Sequence, residues 1–499
     1  MKRSRLLAAR ACLAAIAVAL GIGMGFPAAA AGADNAHDRS FHGRSGGHVP
    51  KPRIPTPPHA GSPAPAPSPG PVPTPSTPPG AIGTAPIATP TPSPSLTPHA
   101  APGPRIFRSE PPLALPAAIA WASRDEILVA IRAGAGGSAI EPLAAAYDLS
   151  VGQEVPLPSV GLKLSVLRVP NASLRDVIID RLNADGRVVA AQPNYRYRTL
   201  ASEAAPAPAP RQYAVEAIHA DAAHAFATGR GVLVGVIDTR VDANHPALKG
   251  RILEAIDLTG RGEADPGRHG TGLAGVMAAQ ATRATIEGIA PGARILAIQA
   301  FEPDPADPMT GLGSSQKLAQ AIDIAVKYGV RLLNLSFSGP RDPIVSFLLQ
   351  RAIAAGIVVV AAAGNDGPEG PPRYPAAQDG VIAVTATDAV GRLYTMATHG
   401  PFVSVAAPGV DILTLGPGDT LQYLSGTSLA AAHVTAVVAL MLETAPAAAP
   451  VDIKQTLERS ARANSASPTR SDGYGAGRVD ALQAVMLLGP RLAKSLKTD

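Results

Sequence analysis

The chain has 499 residues, enough for two or three domains, and 46% of them are hydrophobic, which supplies a sizeable core. Its formal charge of +5 does not argue for a nucleic-acid partner: Lys2, Arg3, Arg5 and Arg10 fall in the first 31 residues, where there is no acid, and without them the balance is +1. The only cysteine, Cys12, lies in that same stretch, so a chain processed there holds neither a disulfide nor a zinc–thiolate site.

Residues 1–10 are basic, 11–26 are apolar, and Ala29-Ala30-Ala31 offers the small residues of a cleavage site, so 1–31 reads as a secretory signal peptide. The apolar run is short for a bilayer span. The expected location is therefore secreted (extracellular, cell surface or periplasmic), with no membrane span in the mature chain. From 32 to 111 large apolar residues are almost absent and proline recurs every second or third position, a composition that favours an extended polyproline II spacer over a packed core. His37, His42, His48, His59 and His99 are scattered through it as solvated linker residues rather than metal ligands.

Structure resumes at 112–200. Residues 126–131 and 162–169 read as strands, 140–147 as a helix, and 187–191 and 194–200 as closing strand segments. Ser173-Leu174-Arg175-Asp176 resembles a capping box, followed by Leu174, Val177, Ile178 and Leu182 at helical spacing and by Gly186 as a stop. The βαββαβ-like order predicts a small ferredoxin-like α+β domain. Residues 201–211 repeat Ala and Pro as a linker. Beyond it, apolar runs at 232–237, 295–300, 332–337, 357–363, 381–386 and 403–407 alternate with helical stretches at 314–328 and 343–355. Helices are also expected near 452–461 and 479–487. The pattern predicts an α/β domain over 212–490 with a doubly wound, mostly parallel sheet, and a tail at 491–499.

One helix in that domain, 429–442, is apolar or small at nearly every position and so reads as buried, opening at Gly426-Thr427-Ser428. Alone, Gly-Thr-Ser before a helix is an ordinary cap. Upstream, Val236-Ile237-Asp238-Thr239 ends a buried strand with a carboxylate, where ligands of open sheets sit and where an acid needs a partner. His269-Gly270-Thr271 opens a Gly- and Ala-rich helix. Ala362-Ala363-Gly364-Asn365 ends another strand with a neutral amide donor. Each has an ordinary reading alone, as a cap, a core histidine or a turn residue. Together, in the order Asp, His, Asn, Ser, they suit nucleophilic acyl transfer. Asp238 fixes the tautomer of His269, His269 takes the Ser428 proton, and Asn365 with the Ser428 amide receives the oxyanion.

In these motifs the stretch from about 212 to 485 resembles the subtilisin-like serine peptidases, the subtilases. The resemblance implies a serine endopeptidase with Asp238, His269 and Ser428 catalytic and Asn365 in the oxyanion hole. It implies that Ser336, Phe337, Ser338 and Gly339 pair with extended substrate backbone, and that Ala361, Ala362, Ala363 and Gly364 line the pocket for the residue before the cut. Residues 126–200 resemble the family's N-terminal inhibitor and chaperone domain, which places self-cleavage between Leu200 and Ala201, with Tyr197 filling an apolar pocket further upstream. Polypeptide substrates and the chain's own prodomain are then the partners, with no cofactor; the absence of an Asp-rich loop of ligand spacing leaves no metal to claim. Departures from the family pattern include Arg240 for a glycine, Gly272 for a second histidine and Ala432 for a proline, and Leu429 stands where many relatives have methionine. Arg373, near the floor of the specificity pocket, points to an acidic residue before the cut, whereas Leu200 points to an apolar one. The alternative to an enzyme is a catalytically silent surface or adhesion protein of the same fold. An α/β-hydrolase esterase is disfavoured, since Ser428 is not in a Gly-x-Ser-x-Gly elbow.

Overall fold

The structure, a computed structural model, describes residues 121–134, 140–200, 202–203, 212–281, 286–305, 307–463, 471 and 473–489. The expected signal peptide (1–31), Pro-rich stretch (32–111), Ala201, most of the 201–211 linker and the tail at 491–499 lie outside the described residues.

Strand β1 (Ala122–Arg132) is followed by helix α1 (Ile140–Ala146), β2 (Ser150–Leu157), β3 (Leu162–Arg168), α2 (Arg175–Ala184) and β4 (Val188–Thr199). These strands pair in the order β2-β3-β1-β4, antiparallel throughout, which is the expected ferredoxin-like arrangement. Local details differ from the sequence reading. In β2 only Val155 and Leu157 are buried, so it carries little apolar signal and escapes a periodicity search. The two closing segments are one strand, β4, with Pro193 kept in the ladder opposite Ile127. Ser173 is not a helix cap: Asn171 Oδ1 accepts the Ser173 N–H at 3.0 Å over a short 3₁₀ turn, and α2 begins after it. That shift turns Leu174 and Val177 outward, 47% and 50% exposed, while Ile178 and Leu182 are buried as expected and Ile179 joins them.

Past β5 (Ser202–Glu203) the chain winds through β6 (Leu233–Asp238), β7 (Ile252–Asp257), α3 (Arg268–Ala278), β8 (Arg294–Gln299), β9 (Glu302–Asp304), β10 (Asp307–Ser314), α4 (Ser315–Lys327), β11 (Leu332–Leu335), β12 (Phe337–Ser338) and α5 (Pro343–Ala354). It continues through β13 (Val358–Ala362), β14 (Ile382–Thr387), β15 (Val403–Pro408), β16 (Ile412–Gly416), β17 (Thr420–Ser425), α6 (Thr427–Thr444), α7 (Pro450–Ser460) and α8 (Ala481–Leu488). The central sheet has the order β15-β14-β13-β11-β6-β8-β7 and is parallel at every pair. The strands that follow β6 (β7 and β8) lie on one side of it and those that follow β11 (β13, β14 and β15) lie on the other, so a crevice opens beyond the carboxyl ends of β6 and β11. β7 was not foreseen because it is an edge strand whose residues are largely exposed and lack an apolar run.

Because successive side chains of a strand face opposite ways, each buried parallel strand feeds two cores. Val234, Val236, Leu332, Val358 and Val360 join α3 and α6 on one face; Ile237, Leu333, Leu335 and Val359 join α4 and α5 on the other. The second core does not stop at α4 and α5. It takes in Leu128 and Ala130 of β1, Val155 of β2, Leu164 and Val166 of β3 and Tyr197 of β4. The N-terminal sheet is thus apolar on both faces. Ile127, Val129 and Ile131 meet its own helices, and the intervening residues meet the α/β part. Among the described residues, α6 is the one helix long and apolar enough to cross a membrane, and it is 89% buried inside the protein.

Candidate active site

Asp238 is the last residue of β6, Ser336 follows β11 directly, and Asn365 follows β13. Those three strands are neighbours in the parallel sheet, so their carboxyl ends bring the three residues to one edge. Asp238 is fully buried. Its Oδ1 accepts the Thr239 N–H at 2.7 Å and lies 2.6 Å from His269 Nδ1. A carboxylate only accepts, so Nδ1 carries the proton and Nε2 is left as the basic nitrogen. His269 reaches Asp238 because α3 comes unusually close to β6 at Gly270. Any Cβ there would stand 2.5 Å from Thr239 O and 2.6 Å from Arg240 O, while the Gly270 N–H donates to Thr239 Oγ1 at 3.0 Å. Asp265, which sequence reasoning did not single out, supports the same turn. Its Oδ2 accepts from Arg240 N at 3.2 Å and Gln299 Nε2 at 2.9 Å, and its Oδ1 from Gly267 N at 2.8 Å, while burial raises its pKa.

Ser428, fully buried, lies in the first turn of α6. Its Oγ makes a short hydrogen bond to Leu200 O, and the side-chain amide of Asn365 donates to that same oxygen at 3.0 Å. The amide is oriented from behind: Thr427 donates its N–H at 3.2 Å and its Oγ1 at 2.9 Å to Asn365 Oδ1, which leaves Nδ2 facing Leu200. Two expected contacts are not formed in this arrangement. His269 Nε2 is buried without a hydrogen-bond partner, the Ser428 hydroxyl being turned to Leu200, and the Ser428 N–H does not bond to Leu200 O. The oxygen held here belongs to a planar carbonyl, and an oxyanion site is shaped for the displaced tetrahedral oxygen. Ser336 Oγ accepts from Asn334 Nδ2 at 2.8 Å and donates to Ser428 O at 3.2 Å, fixing the start of α6 against β11.

Leu200 arrives at this point as the end of a strand held from both sides. Along β4, Thr199 pairs with Phe337 and Arg198 with Ser338 of β12, while Arg198, Tyr197 and Arg196 pair with Leu312, Gly313 and Ser314 of β10, all antiparallel. The β12 rim was expected from Ser336–Gly339; the β10 rim was not, although its Gly311-Leu312-Gly313, two glycines flanking a leucine just before a helix start, is the signal that marks it. Beyond Ala201, Ser202 and Glu203 form β5 and pair with Ser425 and Leu424 of β17, so part of the expected linker is ordered strand. Ala361, Ala362 and Ala363 are fully buried. Ala362 shares a core with Leu200, Ala361 faces the opposite core, and Gly364 donates its N–H to Thr427 Oγ1 at 3.3 Å. Arg373 is committed elsewhere: its Nε pairs with Asp366 Oδ2 at 2.6 Å and its guanidinium lies 4.6 Å from the centre of the Trp121 ring.

The departures from the family pattern are accommodated locally. Arg240 does not adopt a left-handed backbone and lines a shallow depression with Asn244, Asp257 and Gln299. At Gly272, Leu424, Thr414 and Gln422 already occupy the space a larger side chain needs. Ala432 is a fully buried interior residue of α6.

Next to Ala432 in α6, His433 is buried with Nδ1 2.8 Å from Leu429 O, and burial lowers its pKa from 6.5 to about 4. The unfolded chain therefore takes up a proton before the folded one does as pH falls. Stability is full above about pH 6.5, is lost through the window down to about 4, and is flat below it. Between pH 7.5 and 5 the loss from this group is expected to be about 2 kcal/mol. Denaturant unfolding of a Ser428→Ala background should show it, and the added change His433→Gln should remove most of it.

Comparison with known proteins identifies the family. A profile described as the Subtilase family matches residues 229–477. The chain is 33% identical over 329 residues to the thermophilic serine proteinase of Bacillus sp. (strain AK1), covering 65% of this chain and 78% of that one. It is 35% identical to thermitase of Thermoactinomyces vulgaris, covering 55% and 96%. Among solved structures it superposes on fervidolysin from Fervidobacterium pennivorans, described as a keratinolytic enzyme related to subtilisin, with a TM-score of 0.64 and 27% identity over 73% of this chain and 61% of that one. Strand order, motif order and these similarities agree, and the chain belongs to the subtilase family of serine proteinases.

Proposed function

We propose that this chain is the precursor of a secreted serine endopeptidase that cuts itself between Leu200 and Ala201 and then cleaves other polypeptides through an acyl-enzyme intermediate. The observation that carries the reading is the seating of Leu200: its carbonyl oxygen meets the Asn365 amide and the Ser428 hydroxyl at the end of a strand clamped between β10 and β12. Substrate bound by β-augmentation occupies such a cleft in the same way, with main-chain bonds supplying affinity and side-chain pockets supplying choice.

In the proposed reaction, Ser428 turns its hydroxyl to His269 Nε2 and Oγ attacks the Leu200 carbonyl carbon. The proton passes to Nε2, and Asp238 steadies the imidazolium. As the C–N bond breaks, His269 gives the proton to the Ala201 amine, and a water then hydrolyses the ester by the same path. The N-terminal module, now ending in the Leu200 carboxylate, keeps its strand in the cleft as a product inhibitor. Leu200, 3% exposed, and an Arg373 engaged with Asp366 and Trp121 favour an apolar residue before the cut over an acidic one. Secretion rests on the basic, apolar and small-residue series at 1–31.

N-terminal sequencing of purified active enzyme, beside a casein assay, tests the reading. Ala201 as first residue together with casein hydrolysis is the expected result. A start elsewhere refutes the bond, and neither processing nor hydrolysis refutes the peptidase.

A further inference from the structure

The pocket that holds Tyr197, three residues before Leu200, is not the apolar pocket the sequence suggested. Its wall is aromatic, with Phe337 edge-on at 5.7 Å between centroids and an interplanar angle of 87°. Its floor is bare backbone at Gly339, where any Cβ would run into the Tyr197 ring. Its end is polar: the Tyr197 hydroxyl donates to Asp342 Oδ2 at 3.1 Å. Tyr197 and Asp342 are each 1% exposed.

Asp342 is the N-cap of α5, announced in the sequence by the Asp342-Pro343 pair. Its Oδ1 accepts from Val345 N at 2.9 Å and from Gln192 Nε2 at 2.9 Å, and its Oδ2 accepts from Ser315 Oγ as well as from Tyr197. Two of those four donors, Val345 and Ser315, belong to the α/β part and stay with it. The other two, Gln192 and Tyr197, belong to the N-terminal module and leave with it. The mature cleft therefore keeps a carboxylate whose Oδ2 faces the end of this subsite with part of its hydrogen-bonding capacity unfilled.

We propose that Asp342 makes this subsite selective for tyrosine over phenylalanine, the carboxylate accepting the phenol hydroxyl of the substrate residue three positions before the cut residue. The proposal rests on the peptidase reading above. A phenylalanine would fill the same aromatic slot but bury the carboxylate against a C–H. A site built around a substrate hydroxyl rejects the analogue that lacks it more strongly than a purely apolar pocket distinguishes two apolar side chains, because its own polar group is left unpaired. With this carboxyl as acceptor the expected preference is roughly 10- to 100-fold in kcat/KM.

The test uses the mature enzyme and chromogenic amides of Tyr-Arg-Thr-Leu, Phe-Arg-Thr-Leu and Leu-Arg-Thr-Leu, plus the analogue with 4-methoxyphenylalanine in first place. The tyrosine peptide is expected to exceed both the phenylalanine and the methoxy peptides, since neither carries a donor. Asp342→Ser, which keeps a good helix cap but is too short to reach the phenol, is expected to bring the tyrosine-to-phenylalanine ratio to about one. Should that variant not fold, Asp342→Asn preserves cap and shape, and its exchange of an acceptor for an amide is expected to lower the ratio several-fold. Equal rates for the tyrosine and phenylalanine peptides in wild type, a methoxy peptide cut as fast as the tyrosine one, or an undiminished ratio in the variants would each overturn the proposal. Failure to cut even the leucine peptide would instead sink the peptidase reading.

Discussion

Alanine at Ser428 is expected to leave the chain in one piece across Leu200–Ala201, with casein hydrolysis reduced by about 10⁶, a magnitude taken from the family member subtilisin rather than derived from this geometry. The substitution removes one oxygen from a helix start that is otherwise held by Ser336 Oγ and by the buried body of α6, so the fold should survive it. The strand contacts of β4 with β10 and β12 do not involve the hydroxyl, and the uncut precursor should therefore remain docked. Mass spectrometry of the purified variant reads the result directly. A variant that still processes itself at Ala201, in a preparation free of other proteases, would remove Ser428 from the nucleophile's role.

The second large effect is expected at Asn365. Alanine there deletes the amide donor that reaches Leu200 O at 3.0 Å beside the Ser428 hydroxyl, and leaves Thr427 Oγ1 without its acceptor. Turnover is expected to fall by about 10²–10³, again the size found for the corresponding amide of subtilisin. The loss should fall mainly on kcat, because the amide gains most as negative charge gathers on the oxygen, while the main-chain ladders that bind substrate are untouched. Steady-state kinetics on a peptide amide separates the two constants. A rise in KM with kcat unchanged would make Asn365 a binding residue and leave the oxyanion without its side-chain donor.

How far the chain could be read in advance follows from where the signal lies. The strands of the central sheet are covered on both faces, so they declare themselves as unbroken apolar runs, and the residues just past their ends inherit their place at the crevice. That is why Asp238 and Asn365 were legible. His269 and Ser428 were legible as polar residues at the mouths of helices too apolar to lie at the surface. What escaped lacked such contrast. β2 and β7 are exposed along most of their length, and β10 reads Asp-Pro-Met-Thr-Gly-Leu-Gly-Ser, with a proline, two glycines and no alternating pattern. Asp342 looks in sequence like any helix cap, and only the fold shows that its second oxygen faces a substrate side chain. Thr427 and Asp265 act by holding other residues, and nothing in their local sequence distinguishes that from an ordinary turn.

The sheet of the N-terminal module has helices for only one of its two apolar faces, the other being closed by α4 and α5 of a different part of the chain. On the proposed reading this makes activation a one-way event. Before the cut the two parts are tethered, and the shared core forms at the high effective concentration of a single chain. After it, departure of the module uncovers Leu128, Ala130, Leu164 and Val166 together, a surface that a small sheet with helices on one side cannot close for itself. A released module, one apolar face bare, is then expected to be less stable than the docked one, and an extended chain is what an endopeptidase consumes best. The enzyme would thus be rid of its inhibitor by destroying the fold that had depended on it.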